Sequence, residues 1–132
     1  MEIQSRKTRQ KEAIRNAFVK ADRPLSYDEV HSHAGAEVQG ISIATVYRNV
    51  KALLEEHWLT AVLLPGETPR YEVSGKEHHH HFFCNDCRRL LELQGCEMEA
   101  PPLPQGFRLK GHEFFLYGHC SDCRSGQRLE AN

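Results

Sequence analysis

Two cysteine pairs, Cys84-Asn85-Asp86-Cys87 and Cys120-Ser121-Asp122-Cys123, share one two-residue spacing. A tight turn of that length aims both sulfurs at a single ion, and four thiolates complete the tetrahedral shell of Zn(II). A shell of four cysteines leaves no open position, so the expected zinc is structural. The gap between the pairs is longer than in a local zinc ribbon, and the ion would join two distant strands. A redox pair or unrelated thiols are the alternatives. Cys96 is the fifth cysteine and makes the number odd, which excludes a complete set of internal disulfides. Thiols at short spacing in a reducing cytosol favour metal over disulfide.

A second set of ligands lies just upstream, in His78-His79-His80-His81. Side chains alternate between the faces of a strand. His79 and His81 would then point one way, and His78 and His80 the other, which opens two separate metal sites. Glu72, Glu92, Glu97 and Glu99 are available carboxylates, and His112 is a further imidazole. Imidazole with carboxylate suits Fe(II), Mn(II) or Zn(II). A solvated polyhistidine turn is the bland alternative.

The elements that must position these groups fall into two halves. Thr8 can cap a helix that carries Ala13, Ile14, Ala17 and Phe18 on one stripe, ended by Asp22-Arg23-Pro24. Ser26-Tyr27-Asp28-Glu29 is a capping box that opens a short helix to about Ala34. Gly35 and Gly40 mark loops. Ser42 caps a third helix through about His57, with Val46, Val50, Leu53 and Leu54 at helical spacing. Trp58 to Leu64, a turn at Pro65 to Pro69, and Arg70 to Val73 form a β-hairpin. Three helices followed by a hairpin is the order of a winged helix-turn-helix. Its third helix opens with Ser42-Ile43-Ala44-Thr45-Val46-Tyr47-Arg48-Asn49, where such proteins meet base edges. An ordinary amphipathic helix is the competing reading. In the second half, His78 to Cys84, Leu90 to Leu93 and Phe107 to His119 read as strands, the last with a break at Gly111.

The bulk properties set the frame. The chain has 132 residues, 39% hydrophobic and 27% charged, with a net charge of −1. It suits one or two small domains. No apolar run approaches the roughly 18 residues of a membrane helix, and the start lacks the apolar core of a secretory signal, so the expected location is cytoplasmic. The first twenty residues hold six basic side chains (Arg6, Lys7, Arg9, Lys11, Arg15 and Lys20) against Glu2 and Glu12. That local excess is compatible with phosphate contact or with a solvated helix face.

Several strings together resemble the ferric uptake regulator family. Ala44-Thr45-Val46-Tyr47-Arg48 looks like its recognition-helix signature. His78 to Phe83 running into Cys84-x-x-Cys87 resembles its histidine-rich segment. Gly106-Phe107-Arg108-Leu109 through His112, then Leu116-Tyr117-Gly118 before Cys120-x-x-Cys123, resembles its final strand. The resemblance covers nearly the whole chain. It implies an α+β protein: an N-terminal winged helix-turn-helix over residues 1–73, then a small α/β metal-binding dimerisation domain over 74–132 with a shortened helix. It implies a homodimeric, metal-responsive repressor that binds double-stranded operator DNA and controls iron, manganese or zinc uptake. Residue by residue, it places regulatory metal ligands at Glu72, His79, His81 and Glu92. His78, His80, Glu99 and His112 fall at or near a second, more variable site. Arg6, Thr45, Tyr47 and Arg48 are the expected DNA contacts, Arg6 reaching for a minor groove. The implied cofactors are structural Zn(II) at Cys84, Cys87, Cys120 and Cys123 and a regulatory Fe(II), Mn(II) or Zn(II).

Three departures from the family pattern stand out. No histidine occupies Asp22 to Leu25, where the family commonly takes a regulatory ligand, and His31 and His33 are the nearest substitutes. Pro101, Pro102 and Pro104 interrupt the span Gln94 to Gln105, where a long helix is usual. Cys96 is extra and could enter a sensory site. The rival readings are a peroxide sensor of the same family, a zinc-stapled interaction module and a metalloenzyme. His112-Glu113 does not continue as a His-Glu-x-x-His motif, since position 116 is Leu, and no nucleophile triad or phosphate loop occurs. The expectation is therefore a non-enzyme.

Overall fold

Residues 5–96 and 102–123 are described by a computed structural model. The chain divides into two compact units, Met1–Gly75 and Lys76–Asn132. Among the described residues no helix is long and apolar enough to cross a membrane.

The first unit opens with α1 (Arg6–Ala21). Its cap is Ser5 and not Thr8: the Ser5 hydroxyl accepts the Thr8 amide at 3.0 Å, which places Thr8 inside the first turn. Either hydroxyl could cap, and the one three residues upstream meets the free N–H. Asp22 ends the helix in the left-handed region at φ 51. The capping box opens α2 (Tyr27–Glu37), with Glu29 N–H donating to Ser26 Oγ at 3.2 Å and Ser26 N–H donating to Glu29 at 2.9 Å. Gly35 lies within α2 and does not mark a loop; the helix carries on past it because Ala34 is anchored in the core. Ser42 caps α3 (Ile43–Glu55). The three helices bury Ile14, Phe18, Val30, Val46, Val50 and Leu53 together with Leu25. Each such side chain contributes about 1.5–3 kcal/mol on leaving water. The wing is β1 (Leu59–Val62) paired antiparallel with β2 (Arg70–Val73), and Leu25 bridges to Tyr71 on its other side.

The second unit is a three-stranded sheet. Its central strand β3 (His80–Cys84) lies between β4 (Leu90–Leu93), antiparallel, and β5 (Phe115–Gly118), parallel. The last strand is much shorter than the expected Phe107 to His119. β3 begins at His80, and His81 is already paired with Phe115, so residues before Phe115 have no ladder to join. On β5 a Cβ added at Gly118 would lie 2.9 Å from Phe82 Cζ, so a larger residue there would have to displace the Phe82 ring. The described residues of Gln94 to Gln105 contain no helix. Glu97 and Glu99 lie outside the described residues.

Candidate metal centres

The sheet register gathers ligands at both ends of β3. At its C-terminal end, Cys84 closes the strand, Cys87 follows in the turn, and Cys120 and Cys123 follow β5, the last within a single 3-10 turn (Ser121–Cys123). The four sulfurs lie within 4.8 Å of one another. Cys87 and Cys120 are 3.8 Å apart, which is the edge of about 3.8 Å expected of a tetrahedron with Zn–S bonds near 2.3 Å. Burial raises the Cys84 pKa, but amide N–H groups of Cys87 and Cys120 directed at its sulfur outweigh that and hold it at about 6. Cys123 is pushed up to about 12 by burial and the neighbouring sulfurs. Arg89 is a residue that sequence reasoning missed. Its guanidinium donates to Cys87 Sγ at 3.1 Å and to Cys120 Sγ at 3.4 Å, and pairs with Asp122 at 2.9 Å. A cation two residues beyond the first pair is its only trace in the sequence. It offsets part of the negative charge that four thiolates bring to one ion.

At the N-terminal end of β3 the four histidines sort by parity. His79 and His81 stand edge to face at 4.8 Å, and His78 and His80 at 4.5 Å. Opposite His81 in the antiparallel register is Glu92, whose carboxylate lies 3.9 Å from His79 Nε2. His79 Nδ1 meets the Glu77 carbonyl at 2.7 Å, which leaves Nε2 as its ligand atom. Two imidazoles and a carboxylate suit a divalent ion of the first transition row. Glu92 is also held by Lys76, at 2.5 Å. A metal at His79 and His81 therefore competes with an ammonium for the same carboxylate. Replacing Lys76 by methionine is expected to tighten metal binding there roughly tenfold. The gain is below the ~4 kcal/mol that a unit charge 4 Å away represents at intermediate dielectric, because Lys76 can swing into water. Isothermal titration with Mn(II) checks it, and unchanged or weaker affinity would contradict it. Glu72, the remaining expected regulatory ligand, is the third residue of β2 in the first unit.

The other parity set meets His112. His78 Nε2 is 3.2 Å from His112 Nε2, and the His80 ring stacks on Phe114 at 3.9 Å. Burial, then the neighbouring His78, His112, His81 and His79 rings, lower the His80 pKa and keep it in its neutral, ligating form. The two upstream histidines, His31 and His33, both lie on α2 of the first unit, and His31 Nε2 is engaged there at 2.7 Å with the Ile41 carbonyl.

On α3, the buried stripe of Val46, Val50 and Leu53 leaves Tyr47 and Arg48 exposed. Arg48 donates to Thr45 Oγ1 at 3.1 Å. Tyr47 rests edge-on against Tyr27 at 4.6 Å, and Tyr27 in turn accepts from Tyr71 of the wing at 3.1 Å. That aromatic chain fixes the tilt of the Tyr47 ring, a role for Tyr27 that the sequence did not announce. Arg6 sits in the first turn of α1 and not on a free arm, its guanidinium 3.4 Å from the Gly40 carbonyl.

Residues 2–117 match the Ferric uptake regulator family. The chain belongs to that family. The Ferric uptake regulation protein of Bordetella parapertussis is 30% identical over 119 residues, 86% of each chain. That of Campylobacter jejuni is 34% identical over 89 residues, 64% of this chain and 57% of its own length. This chain thus matches less than two thirds of that relative. Among solved structures, a zinc-bound manganese uptake regulator superposes with a TM-score of 0.71 at 23% identity, covering 91% of both chains. That likeness establishes the fold, a winged helix followed by a small α/β unit. The ferric uptake regulator fold thus supplies a frame in which one strand, β3, carries a thiolate centre at one end and two imidazole sets at the other.

Proposed function

We propose that this protein is a metal-responsive, DNA-binding transcriptional repressor of iron, manganese or zinc uptake. The observation that carries the reading is the convergence at the start of β3 of His79 and His81 with Glu92, which lies opposite His81 and 3.9 Å from His79, in a chain whose other unit exposes Tyr47 and Arg48 on α3. The regulatory ligands are His79, His81 and Glu92, with Glu72 completing the set on the strength of its place in the sequence. When bound, the divalent ion supplies a charge that its ligands converge on. The chain's part is to let that ligation favour one arrangement over others that the metal-free protein samples. By reciprocity, operator DNA then tightens metal binding by the same factor. Cys84, Cys87, Cys120 and Cys123 hold structural zinc.

The protein acts as a homodimer that sets two recognition helices on half-sites about 34 Å apart. β5 is an edge strand with Leu116 and Tyr117 exposed, at 45% and 58%, and is the surface on which the second copy pairs.

The test is operator binding with and without metal. Tyr47→Ala with Arg48→Ala should lower affinity at least tenfold, since Arg48 contributes about 1–3 kcal/mol if it reads a guanine. Arg6→Ala should weaken binding on all sequences and flatten the salt dependence. Unchanged affinity in the Tyr47/Arg48 variant, by gel shift at fixed salt, would remove α3 from the interface.

A further inference from the structure

Past β4 the chain turns at Gly95, with φ 73, and delivers Cys96 to the same end of the sheet as His78 and His80. The parallel register explains how His112 arrives there too. His81 pairs with Phe115, and three residues back along both chains brings His78 opposite His112. The ligand atoms of His78, His80, Cys96 and His112 all lie within 4.8 Å of one another.

Hydrogen bonding alone does not account for this cluster. His112 Nε2 is approached by His78 Nε2 at 3.2 Å and by Cys96 Sγ at 3.1 Å. An imidazole nitrogen carries either one proton or one lone pair in the ring plane, so it satisfies one of these neighbours and not both. His80 is 3% exposed, and its Nε2 is buried with no hydrogen-bond partner among the described residues. A buried polar atom left in this way costs about 1–3 kcal/mol. Both defects disappear if a cation sits at the centre. The spacings suit one: a tetrahedral ion with bonds near 2.0–2.1 Å to nitrogen and 2.3 Å to sulfur has edges of about 3.3–3.6 Å.

We propose that Cys96, with His78, His80 and His112, forms a closed three-imidazole, one-thiolate site selective for Zn(II). This rests on reading the three histidines as ligands and names the fourth as a thiolate in place of the carboxylate of Glu99. The substitution changes which metal the site takes. Carboxylate suits Mn(II) and Fe(II), whereas one thiolate beside three imidazoles moves the preference toward Zn(II) and its tetrahedral surrogate Co(II). The two faces of β3 then carry different chemistry. His79, His81 and Glu92 make the harder set, and the Cys96 set the softer. The protein would distinguish zinc from iron or manganese by which face is filled.

The probe is Co(II), added under anaerobic conditions to full-length protein that retains its one zinc at the four-cysteine centre. The expected result is a thiolate-to-cobalt charge-transfer band that saturates at one added equivalent. It should vanish in Cys96→Ala and His112→Ala and persist in His79→Ala with His81→Ala. Zn(II) should displace the band, and Mn(II) in tenfold excess should not. As a second readout, bound Zn(II) should shield Cys96 from iodoacetamide at least tenfold, read by mass spectrometry, and the shielding should be lost in His112→Ala. A missing band in the unaltered protein, a band that survives Cys96→Ala, or equal alkylation of Cys96 with and without zinc would each overturn the assignment. None of these measurements uses DNA, so failure here is separable from failure of the repressor reading.

Discussion

Cys84→Ser is expected to cost the protein its second unit outright. Beyond Gly75 the buried apolar side chains among the described residues are few: Phe83, Leu90 and the two cysteines Cys84 and Cys120. A core of that size does not hold a three-stranded sheet by burial alone, and small units of this kind depend on a metal or other staple. Cys84 is also the sulfur on which the amides of Cys87 and Cys120 converge, so its loss removes the organising atom of the centre along with one ligand. Structural zinc in small peptides contributes an apparent ~10–16 kcal/mol at neutral pH. That is comparable with the whole stability of an ordinary domain, about 5–15 kcal/mol. The variant should purify without stoichiometric zinc and lose its strand signal in circular dichroism. It should also fail to dimerise in analytical ultracentrifugation, because β5 is the strand on which Cys120 and Cys123 depend. Helical signal should largely survive, because the core of α1, α2 and α3 draws on no residue beyond Tyr71 and Val73. A Cys84→Ser protein that keeps one zinc and a cooperative strand transition would refute a structural role for the centre.

What the sequence disclosed and what it withheld follow from the range of the forces involved. Capping is local, so Ser26 with Glu29 and Ser42 before α3 are legible from residues three apart. The sorting of His78 to His81 onto two faces is legible because the strand period is fixed at two whatever the partner. The Ser5 cap is a local miss: two hydroxyl residues compete three positions apart, and the chain uses the earlier one. The length of β5 is a miss of another kind. Strand pairing is a property of two segments, and nothing in Phe107 to Phe114 states that β3 begins only at His80. Arg89 is a miss of the same class, and Cys96, which the sequence offered to a sensory site, carries no local sign of which side chains it meets. One finds Asp122 and the sulfur of Cys120, more than thirty positions away. The other reaches His112 only because Gly95 permits the turn that sends it there. The carboxylate expected at that position, Glu99, lies outside the described residues.

Removing His79 and His81 together should leave a folded protein that has lost its response. Neither side chain supports the ladder: β3 pairs through its backbone with β4 and β5, and alanine at both positions keeps every one of those bonds. The four-cysteine centre begins at Cys84, at the opposite end of the strand, so zinc content should stay at one per chain. Cooperative unfolding should be retained, shifted by at most about 1–3 kcal/mol for truncating the buried His81. What disappears is the metal's differential affinity for the DNA-competent arrangement. Coupling between an effector and a ligand is typically ~1–3 kcal/mol, about 5–150-fold in affinity. Operator binding in the double variant should therefore sit at the metal-free level of the unaltered protein, whatever amount of Fe(II), Mn(II) or Zn(II) is added. Glu92→Ala should show a partial version of the same loss, since water replaces a carboxylate more readily than two imidazoles and Lys76 is freed. The measurement is operator affinity against free metal, with circular dichroism and zinc analysis on the same samples. A double variant that has lost its zinc would mean that His79 and His81 support the fold. If it keeps its zinc and still binds operator in a metal-dependent way, control lies with the opposite face of β3. Cys96→Ala should then be the substitution that abolishes it.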